Sequence, residues 1–220
     1  MNLFILWFFK LTAIPIVFLY FKLRVITAEK RKPKIKGRTL FVSNHLDTIF
    51  DAVAICLSYP FKSLYHIAAR NLFKLNWFMR FFLPRVGGIP AEQISDDVSS
   101  VTAAIKLLEK EKAVVIFPEG RVSKTSETLK FYPGATIIAA KTDPTIIPVY
   151  HFGKRGWLKR ATTVLGNPFK LSEHFDLDNV TGEKIKEMTD FIRERVMELK
   201  KLIPQKVVQR EENRKGGQSS

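Results

Sequence analysis

His45 and two nearby aspartates are the first residues whose types and spacing could do chemistry. Asp47 and Asp51 follow the histidine, and residues 39–43 before it have the composition of a buried β-strand. A side chain there is accessible, because sites in open α/β sheets lie beyond the carboxyl ends of the strands. A carboxylate within the next helical turn can hold one ring nitrogen and leave the other to accept a proton. The pattern predicts a general base that activates a hydroxyl nucleophile without a covalent enzyme intermediate.

The same residues also fit a structural role at the start of a helix. Thr48 and Asp51 have the spacing of a capping box, in which Asp51 would only cap the helix. Asp47 could be the N-cap residue instead. The sequence therefore leaves open whether Asp51 or Asp47 is the partner of His45.

Glu119, Gly120 and Arg121 form a second group, directly after the apolar residues 113–117. The Arg121 guanidinium has a planar fork of donors that suits a phosphate or a carboxylate. Gly120 allows a sharp turn, and backbone amides in such a turn can help to cradle an anion. Because Glu119 would repel a phosphate, we expect it to orient Arg121 or to bind an acceptor hydroxyl. An ordinary turn with a surface ion pair would use the same residue types.

Alternating apolar segments around these groups predict an α/β domain. Strands are predicted over residues 39–43, 64–69, 86–90, 113–117, 145–150 and 161–166. Helices are predicted over residues 49–57, 75–82, 98–110, 135–141 and 183–202. In this arrangement, His45 and Arg121 each follow a core strand.

Both ends of the chain differ in composition from the domain between them. Residues 3–21 are the most apolar stretch, and as a helix they would be about 28 Å long, close to the hydrocarbon thickness of a bilayer. Lys10 and Pro15 fit a kinked helix in one leaflet as well as a spanning helix, and the basic residues that follow favour the cytoplasmic face. The prediction is a membrane-anchoring helix over residues 1–28, a catalytic domain over residues 29–203 and a disordered tail over residues 204–220.

The charge balance narrows the classes of partner. Lysines and arginines number 36 against 21 aspartates and glutamates, and the net charge of +15 attracts nucleic acid, an anionic membrane or an acidic carrier protein. A nucleic-acid binder is disfavoured, because the N-terminus is apolar and no groove-reading motif occurs. The histidines lack the spacing of metal ligands and the sequence has no glycine-rich nucleotide loop, so neither a metal nor a cofactor is predicted.

Taken together and in order, three motifs resemble those of the glycerophospholipid (phosphate) acyltransferase family. They are SNHLDTIFD at residues 43–51, FPEGRVS at residues 117–123 and IIPV at residues 146–149. The segments AARNLFK, GGIPAEQ and FYPGATIIAAK resemble the family's intervening blocks, so the resemblance covers roughly residues 37–170. The part from the second motif to the third is similar to bacterial 2-acylglycerophosphoethanolamine acyltransferases.

The resemblance implies a fold, a reaction and a set of site residues. The fold would be a mixed, mostly parallel sheet flanked by helices, with a membrane-associated N-terminal helix. An acyl group would pass from acyl-CoA or acyl carrier protein to a hydroxyl of a lysophospholipid such as 1-acylglycerol-3-phosphate. His45 would be the general base and Asp51 would orient it. The residues assigned to substrate binding are Asn44, Glu119, Gly120, Arg121 and Ser123.

The sequence departs from the family pattern at two places. Five residues separate His45 from Asp51 where the family usually has four, and one residue turns a helix by about 100°. Gln93 stands where the family often has an arginine that contacts phosphate, which argues against glycerol 3-phosphate or lysophosphatidate as the acceptor. The longer spacing and the net charge of +15 support an alternative function, a non-catalytic lipid-binding or scaffolding protein at the membrane surface, built on the same fold.

Overall fold

The computed structural model describes residue 8 and residues 23–47, 50–85, 87–91, 98–123, 127–153 and 161–216. Seven strands in this part of the chain form one sheet: β1 (Arg24–Thr27), β2 (Thr39–Ser43), β3 (Leu64–Ala69), β4 (Gly88–Ala91), β5 (Ala113–Ile116), β6 (Thr145–Phe152) and β7 (Thr162–Leu165). Helices with more than one turn are α1 (Phe50–Ser58), α2 (Arg70–Lys74), α3 (Trp77–Arg85), α4 (Val98–Glu109), α5 (Gly134–Thr142), α6 (Gly182–Glu198) and α7 (Gln205–Gly216).

The strand order across the sheet is β1-β7-β6-β2-β5-β3-β4. The strands from β6 to β4 in this order run parallel to one another. β7 pairs antiparallel with β6, and β1 pairs parallel with β7. The predicted mixed, mostly parallel sheet is confirmed. We call the side of the sheet where the parallel strands end its carboxyl edge.

The central strands contain continuous apolar runs because helices cover both faces of the sheet. Every residue of β2 and β5 is buried. Leu40 belongs to the core that includes α4, α5 and α6, whereas Phe41 packs with Ile55 of α1 on the opposite face. The continuous apolar runs seen in the sequence are therefore strands with two cores, one on each side.

Residues 24–27 differ from the sequence prediction, which placed them in the membrane-anchoring helix. They form the edge strand β1, which pairs with β7 along its whole length. Four residues between basic neighbours give no recognisable strand pattern, and their partner strand lies far away in the sequence. The remaining residues of the predicted anchor lie outside the described part of the chain, apart from Phe8 and residues 23–28.

The predicted disordered tail also differs from the structure, because residues 205–216 form helix α7. Val207 and Val208 pack against the larger core, and Val207 N donates to Pro204 O at 2.7 Å. These two apolar residues hold a segment whose overall composition is strongly polar. Among the described residues, no helix is both long enough and apolar enough to cross a bilayer.

Asn44 joins the carboxyl ends of β2 and β6. Its side-chain Nδ2 donates to His151 O at 3.0 Å, and its Oδ1 accepts from His151 N at 2.7 Å. Both residues are fully buried. Because buried backbone polar groups have to be paired, this one amide fixes the relative position of the two strand ends.

We expect Asn44→Ala to lower the free energy of unfolding by about 3 kcal/mol, because it leaves a buried N–H and a buried C=O of His151 unpaired. Urea unfolding of the full chain measures the change. Asn167→Ala is the matched control, since Asn167 is exposed, and its effect should stay within about 0.5 kcal/mol. Equal effects of the two substitutions would contradict the proposed role of Asn44.

Candidate active site

The two motif segments meet at the carboxyl edge of the sheet. His45 follows β2, and residues 117–123 follow the adjacent strand β5. Ser123 N donates to His45 O at 2.9 Å, and His45 N donates to Glu119 Oε1 at 3.2 Å. The backbone of the histidine is therefore held from both sides by the second motif.

Asp51 holds the imidazole of His45. Its Oδ2 lies 3.0 Å from His45 Nδ1, and Asp51 belongs to the first turn of α1. The carboxylate is fully buried, whereas 13% of the His45 side chain is exposed. Because an ionised carboxylate only accepts hydrogen bonds, Nδ1 carries the proton in this pair and Nε2 is the nitrogen with a lone pair.

Asp51 also shapes the loop that carries His45. The same Oδ2 accepts from Leu46 N at 2.7 Å and from Asp47 N at 2.8 Å. Asp47 Oδ1 accepts from Phe50 N at 3.4 Å, at the start of α1. Of the two aspartates that the sequence left open, Asp51 is thus the one that contacts the ring. The longer spacing is accommodated because the loop wraps around the carboxylate.

Phe117 fixes the plane of the His45 ring. The two rings are stacked, with centroids 4.3 Å apart and an angle of 20° between their planes. The sequence showed Phe117 as the last residue of an apolar strand and the first residue of the second motif. Spacing along the chain did not show that its ring stacks on the His45 ring.

Glu119 points inward, which differs from the prediction that it orients Arg121 or binds an acceptor hydroxyl. Its side chain is buried and accepts from the backbone N–H of His45. Burial raises the pKa of Glu119 to about 7; the N–H groups of His45 and Leu129 oppose this shift and the charge of Asp51 adds to it. The carboxyl group therefore changes charge near neutral pH, directly behind the His45 loop.

Gly120 makes the turn of the second motif possible. Its φ is +64°, and a Cβ at this position would lie 3.3 Å from the Tyr132 ring. The turn leaves Arg121 exposed at the carboxyl edge. An exposed guanidinium there is available to an anion, and the contact with an acceptor phosphate stays a prediction.

Asn44 and Ser123, which the sequence assigned to substrate binding, are both buried. Asn44 uses its amide for the backbone of β6, and Ser123 uses its N–H for His45 O. In the described structure they hold the two loops in place. Contact of either residue with a substrate stays a prediction.

His151 lies beside Asp51 in the candidate site, although none of the sequence motifs includes it. It is fully buried near the carboxyl end of β6, with Nε2 at 4.0 Å from Asp51 Oδ1 and Nδ1 at 3.0 Å from Thr163 Oγ1. Its position at the end of a core strand was the available signal, because the same rule singled out His45.

Gln93, the second departure from the family pattern, is among the residues that are not described. Arg70 begins α2 directly after β3 and is half-buried, which places a guanidinium at the carboxyl edge.

Among the described side chains, no group of three or more His, Cys, Asp or Glu residues could hold a metal ion.

The raised pKa of Glu119 predicts a specific dependence of stability on pH. The folded protein binds this proton more tightly than the unfolded chain, so the contribution of Glu119 to stability is present at low pH and is lost as pH rises toward about 7. We expect the melting temperature of Glu119→Gln, relative to the wild type, to increase between about pH 5 and pH 8.

Glu111→Gln is the matched control for this measurement. Bonds from Arg38 lower the pKa of Glu111, so that this carboxyl is ionised throughout the range and its difference from the wild type should not depend on pH. A flat pH profile for Glu119→Gln as well would show that Glu119 is already ionised in the folded state.

Comparison with known proteins places this geometry in a family. The model of the family described as Acyltransferase matches residues 22–151. A chloroplastic 1-acyl-sn-glycerol-3-phosphate acyltransferase of Arabidopsis thaliana is 25% identical over 146 residues, which are 66% of this chain and 40% of that protein. The chain therefore spans about two fifths of the length of this relative.

A solved structure has the same fold. The crystal structure of the 1-acyl-sn-glycerophosphate acyltransferase PlsC from Thermotoga maritima superimposes with a TM-score of 0.62 at 19% identity, over 90% of this chain and 78% of that one. The resemblance to glycerophospholipid acyltransferases seen in the sequence is confirmed. Since the family model covers more than half of the 220 residues, including His45 and the second motif, the chain belongs to the Acyltransferase family.

Proposed function

We propose that this protein is a glycerolipid O-acyltransferase, which moves a fatty acyl group from acyl-CoA or acyl carrier protein to a hydroxyl of a lysophospholipid. The acceptor would be 1-acylglycerol-3-phosphate or a similar lipid. The observation that carries the proposal is the bond between His45 Nδ1 and the buried Asp51, which leaves Nε2 as the basic nitrogen at the carboxyl edge. The names of the Arabidopsis and Thermotoga relatives support the choice of acceptor.

In the proposed reaction, His45 acts on the acceptor hydroxyl rather than on an enzyme nucleophile. Nε2 takes the hydroxyl proton while the acceptor oxygen attacks the carbonyl carbon of the acyl thioester. The new C–O bond forms, the C–S bond breaks, and the leaving thiolate takes the proton back from Nε2. The imidazolium that exists between these steps is stabilised by Asp51, because its charge lies next to a carboxylate of low solvent exposure.

Arg121 is the residue that we expect to contact the acceptor's phosphate. It is exposed on the turn that directly follows the segment stacked on His45. A guanidinium can hold two phosphate oxygens at once, which would fix the distance between the phosphate and the hydroxyl that reacts. Glu119, being turned inward, does not oppose the phosphate from this position.

We further propose that the protein acts at the cytoplasmic face of a membrane. The apolar residues 3–21 would anchor it, and helix α3 adds a second apolar surface. Trp77 and Phe81 lie on one side of α3 with exposed fractions of 79% and 47%, and Leu75 just before the helix is 68% exposed. Lys74 and Arg80 are exposed beside them. Aromatic residues flanked by cations suit the head-group region of an anionic bilayer.

We expect His45→Ala to reduce acyl transfer by at least about 100-fold, because it removes the general base. The measurement is incorporation of labelled acyl groups from acyl-CoA into 1-acylglycerol-3-phosphate by the purified full chain. His174→Ala, which changes an exposed histidine outside the site, should keep the wild-type rate.

Two outcomes would count against this proposal. Full activity of His45→Ala would refute the role of the histidine. A wild-type protein that binds lipid but transfers no label to any lysophospholipid, from either acyl-CoA or acyl carrier protein, would favour the scaffolding alternative.

The α3 surface predicts a defect in membrane binding that is separate from catalysis. Trp77→Ser combined with Phe81→Ser should lower binding to anionic vesicles by about tenfold in a flotation assay, since two apolar side chains no longer enter the bilayer. Phe61→Ser is the matched control, because Phe61 is 78% exposed but precedes β3, whereas α3 comes after the other end of that strand. An equal loss for both variants would argue against α3 as the docking surface.

A further inference from the structure

Asp51 lies between two imidazoles. His45 Nδ1 is 3.0 Å from Oδ2, and His151 Nε2 is 4.0 Å from Oδ1. The side chains of Asp51 and His151 are both fully buried. A distance of 4.0 Å is longer than a hydrogen bond, but an electrostatic contact at this range is strong where water is absent.

Nε2 of His151 faces the carboxylate, and the contact of Nδ1 with Thr163 bears on whether Nε2 carries the proton. Its Oγ1 lies 3.0 Å from His151 Nδ1, and a hydroxyl can either donate to this nitrogen or accept from it. If Thr163 accepted from a neutral His151, the Nε2 lone pair would face an anionic oxygen. If Thr163 donates, Nε2 carries the proton and its positive end points at Asp51. The second arrangement is the favourable one.

The backbone holds His151 in this orientation. β6 and β7 pair antiparallel with His151 opposite Thr163, and Asn44 binds both the N–H and the C=O of His151. The ring is therefore carried by a strand position that is fixed on both sides.

We propose that His151 is a positioning residue for the His45–Asp51 pair. Its Nε2–H keeps Asp51 ionised and prevents the carboxylate from rotating away from His45, and Thr163 selects the tautomer that can do so. This proposal rests on the proposed role of His45 as a base. It adds a residue from β6 and one from β7 to a site that the motifs place on β2, α1 and β5.

The proposal has a consequence that can be measured. The Nε2–H dipole of His151, with Nε2 4.0 Å from Oδ1, favours the ionised form of Asp51 and so keeps Oδ2 available to His45 Nδ1. The described titratable groups around His45 are Asp47 from its own loop, Asp51 from α1, Glu119 from the turn after β5 and His151 from β6. Of these groups, Thr163 Oγ1 lies 3.0 Å from His151 Nδ1.

The experiment compares Thr163→Val with Thr162→Val in the full chain. Both residues are buried on β7; Thr163 Oγ1 lies 3.0 Å from His151 Nδ1, whereas Thr162 is paired with Phe152. In protein with ¹⁵N-labelled histidine, NMR should show the Nε2–H tautomer of His151 in the wild type. In Thr163→Val, the Nδ1–H tautomer of His151 should be populated more than in Thr162→Val, because no hydroxyl donates to Nδ1. The kcat of acyl transfer should fall about tenfold with KM changed less than about twofold.

His151→Leu and His151→Gln provide a second comparison. Leucine removes the donor, whereas the glutamine amide can place an N–H near the original Nε2, so Gln should recover part of the rate that Leu loses. If His151→Leu does not fold, Thr163→Val decides alone. The proposal is overturned if the wild type has the Nδ1–H tautomer, or if Thr163→Val and Thr162→Val have the same His151 tautomer and the same kcat. A wild type that shows the NMR behaviour but no acyl transfer would refute the proposed function instead.

Discussion

A carboxylate without solvent exposure determines how the carboxyl edge of this protein is built. Removing an ionised group from water costs several kcal/mol unless donors replace the lost hydration. Asp51 obtains these donors from His45 and from the N–H groups of Leu46 and Asp47. The loop after β2 therefore has to curl around the carboxylate before α1 can begin, and the imidazole is oriented as part of the same arrangement.

The sheet brings the rest of the site to this carboxylate. β2 lies between β5 and β6, so the segments that follow these two strands are the immediate neighbours of the His45 loop. From the β5 side come the stacked ring of Phe117 and the buried Glu119. From the β6 side comes His151, supported by β7. Because β6, β2 and β5 are parallel neighbours, three segments that are distant in the sequence meet in one cluster.

The sequence predicted the bounds of those strands that are marked by local residue patterns. The strands at residues 39–43 and 64–69 have the predicted bounds, because continuous apolar runs between turns are distinctive. β6 continues to Phe152, past the predicted end at residue 150, since its pairing with β7 begins just beyond Pro148 at Val149. The inward direction of Glu119 and the place of His151 depend on which strands are neighbours. No spacing along the chain contains that information.

The bonds between the two motif loops have a consequence for exchanging parts between homologous proteins. Ser123 donates to the backbone of His45, and His45 donates to Glu119, so each loop supplies groups that satisfy the other. A chimera that takes residues 43–51 from one parent protein and residues 117–123 from another would pair two loops whose hydrogen-bonding groups do not match. Chimeras of this fold should therefore be most stable when both loops come from the same parent, although about 65 residues lie between the loops in the sequence.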